Sequence, residues 1–142
     1  DNKMIELTIP GEPIGKARPR WTKAGGTYTP KKTVNYETQI RERFSAEYPS
    51  FEPFRCALRI ELAAFLGIPL SESRRKQALM EAGVIRPIKR PDLDNIEKVV
   101  LDALQSVAFR NDSQVVEVDK KKWYSRTPRL EIKIMDLVTG ER

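Results

Sequence analysis

The stretch RPDLDNIEKVVLDALQSVAFRNDSQVV, Arg90 to Val116, decides how the rest of the chain is read. Asp92 and Asp94 stand one residue apart behind Pro91. After them Ile96, Val99, Val100, Ala103, Leu104 and Val107 recur at three- and four-residue steps, which predicts an amphipathic helix with one apolar face. Lys98 and Asp102 fall on its other side. Arg110-Asn111-Asp112-Ser113 is a polar turn that returns the chain into an apolar run. Carboxylates and a lysine thus sit at the ends of a rigid element. That is the equipment for holding a divalent cation against a phosphate.

Plainer readings exist for each of these residues. Asp94-Asn95-Ile96-Glu97 has the pattern of a capping box, with Asp94 as N-cap and Glu97 three residues on. An acid ahead of a helix is also favoured by the macrodipole. Asp94 alone therefore requires no function. Asp92 is harder to dismiss, because two carboxylates at about 4 Å and an effective dielectric of about 20 repel by roughly 4 kcal/mol. Capping has no use for that second charge. Spacing alone leaves open whether Asp112 folds back to the pair. For Lys98 the plain alternative is an i, i+4 contact with Asp94, worth only about 0.2–0.5 kcal/mol. Asp102 is a helper on the same side, or a surface charge.

Composition narrows the chemistry. The chain has 142 residues, enough for one domain with a real core, and a formal net charge of +6. That balance suits a polyanionic partner. Histidine is absent, which excludes His-based triads, imidazole zinc sites and nucleases with a histidine base. The single cysteine, Cys56, excludes thiolate zinc clusters and an internal disulfide, and fits a reducing compartment. Only oxygen ligands remain, and these suit Mg²⁺ or Mn²⁺. There is no GxxxxGK[ST] loop, so a nucleotide cofactor has no support. No apolar run spans a bilayer and no signal-peptide pattern is present.

The motif PDLDN with Lys98, LDAL at Leu101 to Leu104 and NDSQVV at Asn111 to Val116 resembles the RusA-type Holliday junction resolvases of bacteria and their prophages. So do IPGEPIGKARPR at Ile9 to Arg20, TYTP at Thr27 to Pro30, GVIRPIKRPDLDN at Gly83 to Asn95 and YSRTPRLEIKI at Tyr124 to Ile134. The resemblance covers most of the chain. It implies Mg²⁺ bound by Asp92, Asp94 and Asp112, with Mn²⁺ as a substitute, and Lys98 as a further catalytic residue. It also implies a cytoplasmic homodimer that cuts four-way DNA junctions in pairs. One departure is visible: many members carry aspartate where this chain has Asn111. The basic residues Lys16, Arg18, Arg20 and Lys23, interleaved with Trp21 and Tyr28, are candidate DNA contacts through phosphates or exposed bases. The bland alternative is a solvated loop with Trp21 tucked against the core. Lys89 and Arg90 lead into Asp92, where positive charge would offset the carboxylates and guide a phosphate.

Two rival functions are carried forward. Pro91-Asp92 with Asp119-Lys120-Lys121 also matches the loose PD…D-x-K pattern of restriction-type nucleases, which would make Asp119 and Lys121 essential. The other rival is a non-catalytic DNA-binding protein of prophage origin, binding without metal and cutting nothing.

Along the chain, Met4 to Ile9 alternates as a strand and Pro10 to Gly26 reads as a basic loop. Thr29-Pro30 opens a helix running to about Tyr48, with Tyr36, Ile40, Phe44 and Tyr48 as a core or dimer stripe. Cys56 to Leu66 reads as a strand, and a short helix starts at Ser71 and ends near Gly83. Gln114 to Trp123 and Arg129 to Met135 are strands, expected to be antiparallel neighbours. The fold class is α+β: one small domain over 4–136, with a mixed sheet of about four strands and about three helices. Residues 1–3 read as a remnant ahead of the domain and 137–142 as a frayed C-terminus.

Overall fold

The computed structural model describes residues 3–137. In chain order the elements are β1 (Met4–Pro10), a small hairpin of β2 (Arg20–Trp21) and β3 (Thr27–Tyr28), and α1 (Lys31–Glu47). Then come β4 (Leu58–Gly67), α2 (Arg74–Glu81), α3 (Leu93–Leu104), β5 (Val115–Ser125) and β6 (Arg129–Asp136). The main sheet has four strands in the order β1-β6-β4-β5. β6 is antiparallel to both β1 and β4, while β4 and β5 are parallel. The mixed four-stranded sheet with three helices is thus the predicted α+β domain.

Alternation explains the layering. Ile5, Leu7 and Ile9 of β1, Leu58, Ile60, Leu62, Ala64 and Leu66 of β4, and Leu130, Ile132 and Ile134 of β6 are buried on one sheet face. α1 and α3 cover that face. α3 buries Ile96, Val99, Val100, Ala103 and Leu104, the face its spacing predicts. Val107 of that stripe lies past the helix end and is half-buried against the core. α1 buries Tyr36, Ile40 and Phe44, so the aromatic stripe is core. Phe44, Tyr48, Phe51 and Phe54 continue it as a chain of ring contacts 5.3–6.0 Å apart.

Several expectations are corrected. The C-terminal strands β5 and β6 are not neighbours, because β4 lies between them. β4 and β5 pair in parallel through a connection containing α3, the crossover that parallel strands require. Cys56 precedes β4, and α2 starts at Arg74 behind Ser73, whose side chain accepts from the Lys76 N–H at 3.2 Å. α1 has Pro30, not Thr29, at its N-cap. Part of the basic loop is the β2–β3 hairpin. The domain reaches one residue further at each end. Lys3 N–H donates to the buried Asp136 carboxylate at 2.8 Å, and Leu137 N–H to the Ala57 carbonyl at 2.9 Å. The rest of the expected N-terminal remnant and frayed tail, 1–2 and 138–142, lies outside the described residues.

Candidate active site

α3 begins at Leu93 and its N-cap is Asp92, in extended backbone with ψ 151°. The helix therefore starts two residues earlier than the capping-box pattern predicts, and Asp94 lies in its first turn. Proline supplies no amide hydrogen, and the first helical bonds run from the Asn95 and Ile96 N–H groups to the Asp92 carbonyl, both 3.1 Å. The Asp92 side chain accepts no capping hydrogen bond among the described residues. Both carboxylates are exposed, and Asp94 in the first turn has the favourable helix dipole as its local role.

They open into a cleft of about 990 Å³ between the Pro10–Arg20 segment, the start of α1 and the approach to α3. Arg18, Arg20, Lys32, Lys89 and Arg90 line it together with Asp92 and Asp94. An acidic pair thus sits in a basic groove. Lys32 is an addition that the sequence pattern did not single out. Lys23 of the predicted basic set sits in the exposed turn of the β2–β3 hairpin instead.

Gly15 is why the two walls meet. A Cβ there would lie 2.9 Å from the Cβ atoms of both Pro91 and Asn95. Glycine lets the loop dock on the DLDN turn, and the Lys16 N–H donates to the Asn95 carbonyl at 2.9 Å. The Lys16 ammonium is bound to Glu37 at 2.8 Å and Asp102 at 3.0 Å. Burial acts to lower its pKa, but hydrogen bonds and charge from Glu37 and Asp102 outweigh it, and the net shift is upward. Lys16 therefore braces the loop to α1 and α3, with its charge directed to protein carboxylates instead of to the open groove.

The opposite wall is strapped to β5. Lys122 Nζ donates to the carbonyls of Lys89 at 2.6 Å and Pro91 at 3.1 Å. Arg86 lies over the Trp123 ring at 3.4 Å and donates to the Lys122 carbonyl at 2.7 Å. The Lys120–Lys122 run, which sequence shows only as positive charge, is thus divided. Lys120 pairs with Glu97 at 2.7 Å, Lys121 with Asp119 at 3.2 Å, and Lys122 holds the segment that positions Asp92.

Lys98 is exposed one turn beyond Asp94, and its partner is Asp102 at 3.6 Å, not Asp94. Asp102 forms ion pairs with both Lys16 and Lys98 and links the brace to the candidate catalytic lysine.

Asp112 stands elsewhere. It opens a 3₁₀ turn, Asp112–Gln114, that leads into β5. α3, of 12 residues, separates it from Asp92 by about 18 Å of helix at 1.5 Å per residue. Sheet register agrees: β5 starts beside Leu58, while Lys122, which reaches Pro91, lies about 23 Å further along at roughly 3.3 Å per residue. Among the described residues no group of three acidic, histidine or cysteine side chains is close enough to hold a metal. One chain does not bring Asp112 to Asp92 and Asp94.

The Asp112 turn is tightly built. Gln114 Oε1 accepts from the Arg110 and Asn111 N–H groups, both at 2.8 Å, and its Nε2 donates to the carbonyls of Phe54 at 2.8 Å and Cys56 at 3.0 Å. Asn111 Oδ1 accepts from the Ser113 N–H at 3.0 Å. Asparagine performs that capping as aspartate would. Asp112 Oδ1 is buried and finds no partner among the described residues. An unpaired buried polar atom costs on the order of 1–3 kcal/mol, and a cation or an added donor would remove that cost.

The rival PD…D-x-K set is not assembled. Asp119 and Lys121 pair with each other and alternate away from Lys120, which bonds Glu97 of α3, and Lys122, which bonds the segment leading into α3.

Comparison with known proteins agrees with the motif. YqaN, an uncharacterised protein of Bacillus subtilis strain 168, is 30% identical over 138 residues, covering 94% of this chain and 96% of that protein. The profile of the endodeoxyribonuclease RusA family matches residues 10–135, a span that holds the cleft, α3 and the Asp112 turn, and the chain belongs to that family.

Proposed function

We propose that this protein is a Mg²⁺-dependent, dimeric endonuclease that resolves four-way DNA junctions by paired phosphodiester hydrolysis. The carrying observation is the exposed Asp92–Asp94 pair inside a cleft lined by arginine and lysine. Like charges placed side by side without a capping role call for a cation, and the basic rim suits the phosphates that would approach it. Two carboxylates with water and substrate phosphate make a usual Mg²⁺ donor set. Mg²⁺, when bound, supplies Lewis-acid polarisation of the phosphate and a more acidic water. Arg18, Arg20, Lys89 and Arg90 hold the flanking backbone. Lys98, freed from Asp102, stabilises charge developing on the phosphate.

Asp112 enters through a second copy. β5 is the outer strand of the sheet, none of its residues is buried, and Val116 is 60% exposed. Antiparallel pairing of two β5 edges about a two-fold axis would set the start of one strand beside the end of the other. Asp112 of one copy would then lie near Asp92 and Asp94 of the second. That arrangement supplies a third carboxylate to each of two equivalent sites, and paired cuts need two.

The test is cleavage of a synthetic four-way junction and a matched duplex, with Mg²⁺ and with chelator, wild type beside Asp94→Asn. Paired Mg²⁺-dependent nicks in opposite arms, absent in the variant, are expected. Retained cleavage in Asp94→Asn would sink the site. Tight binding with no cutting under any divalent metal would favour a non-catalytic DNA-binding protein.

A further inference from the structure

The β2–β3 hairpin rises from the wall of the cleft, since Arg20 lines the cleft and begins β2. The next residue, Trp21, is 76% exposed. It is not tucked against the core, so packing does not account for it. Nor is it on a floppy loop. Thr22 N–H donates to the Gly26 carbonyl at 2.8 Å, Gly26 N–H to Thr22 Oγ1 at 3.1 Å, and Gly25 takes φ +91° to close the turn. Arg20 pairs across the hairpin with Tyr28, itself half-exposed, and Trp21 with Thr27. Arg20 and Tyr28 therefore share one face, and Trp21 projects from the other.

A solvent-facing indole on a hydrogen-bonded hairpin, one residue beyond the cleft-lining Arg20, fits one ligand class well. An unpaired nucleobase offers a flat face to the ring, and the phosphates on either side of it offer charge to Arg18 and Arg20. We infer that Trp21 is a specificity-determining residue that stacks on an unstacked base, and so separates branched or distorted DNA from duplex. This rests on the nuclease reading only in taking DNA as the ligand. In an intact duplex each base face is already covered, so only a branch point, bulge or single strand presents a free one.

Binding alone tests it, in chelator, so that the metal site plays no part. The probes are a four-way junction, a matched duplex, and a single-stranded oligonucleotide, with 2-aminopurine at the branch and mid-strand respectively. Wild type, Trp21→Phe and Trp21→Ala are compared. Wild type should change 2-aminopurine emission on the junction and on the single strand. Trp21→Ala should weaken both about ten- to hundredfold and abolish the emission change, while duplex affinity stays within about twofold. Trp21→Phe should keep most of the effect. Equal weakening on duplex and branched DNA, or unaltered emission in Trp21→Ala, overturns the inference. If wild type fails on the junction but shows the Trp21-dependent signal on single strands, the junction substrate fails and the stacking role stands.

Discussion

At the N-terminal end of α3, Asp92 and Asp94 are exposed in a basic cleft, and the Asp92 side chain caps nothing among the described residues. Past its C-terminal end, Asp112 is half-buried in a turn where Gln114 satisfies two amides and two carbonyls. Both ends carry aspartate, and the first opens into a cleft of about 990 Å³. The difference is one of setting: under the proposed function the hydrogen-bonded Asp112 end is the rigid mount and the Asp92 end, open to the cleft, the receiving site. On the proposed reading, the mount of one copy serves the receiving site of a second.

The largest expected effect breaks that division directly. Asp94→Asn and Asp112→Asn should each abolish cleavage, by more than the roughly 10–100-fold that loss of an outer metal partner costs. Mixing and re-annealing the two inactive variants should restore nicking. A mixed dimer then holds one intact site, which cuts a single strand and gives no paired products. No recovery in a mixture shown to contain mixed dimers would place Asp112 outside the second copy's site.

Next comes the receiving end. Gly15→Ala puts a methyl against Pro91 and Asn95, and overpacking of this kind costs about 1–3 kcal/mol. Stability at Tm in thermal melts should fall by that amount, with junction cleavage dropping more than junction binding. Unchanged melting and cleavage would mean the loop moves aside freely.

At the mount, Gln114→Ala should cost about 2 kcal/mol, because the Phe54 and Cys56 carbonyls lose their donor. Asn111→Asp, by contrast, should stay within about 0.5 kcal/mol of wild type, since either side chain caps the turn. Urea unfolding measures both. A large loss in Asn111→Asp would show that charge at this turn matters beyond capping.

The smallest effect concerns the Lys16 brace. Its folded pKa lies above the ordinary lysine value of about 10.4. A raised lysine pKa stabilises the fold fully below the unfolded value, and the gain is lost as pH rises through the folded one. Lys16→Met should therefore melt below wild type at pH 7, with the gap closing above about pH 10.4. A gap that persists at high pH would trace it to packing of the lysine stem.

Local periodicity made the helices and the inward strand faces readable, since burial repeats every two or 3.6 residues whatever the topology. The face of α3 and the aromatic stripe of α1 needed nothing more. Strand partners were not readable. The parallel match of Leu58 with Val115 is set by how α3 crosses the sheet, and no residue near either strand encodes it. The same blindness hid the position of Asp112. A motif that runs from Asp92 to Asp112 in sequence has its two ends at opposite ends of a helix. Lys16 looked like a phosphate ligand because its partners, Glu37 and Asp102, come from other elements. The exposed indole of Trp21 could be weighed against a buried one only once the hairpin was seen.

The position of β6 has a consequence for how the protein is made. Among the described residues it is the last strand in chain order, yet it lies inside the sheet, paired with β1 on one side and β4 on the other. A ribosome releasing the chain from its N-terminus delivers β1 and β4 long before their shared neighbour. Until Arg129–Asp136 emerges, the two strands face a gap about two strand spacings wide, roughly 9–10 Å. Their apolar faces then have helices above them but no continuous sheet beneath. The four-stranded sheet is therefore completed only once Arg129–Asp136 has left the ribosome.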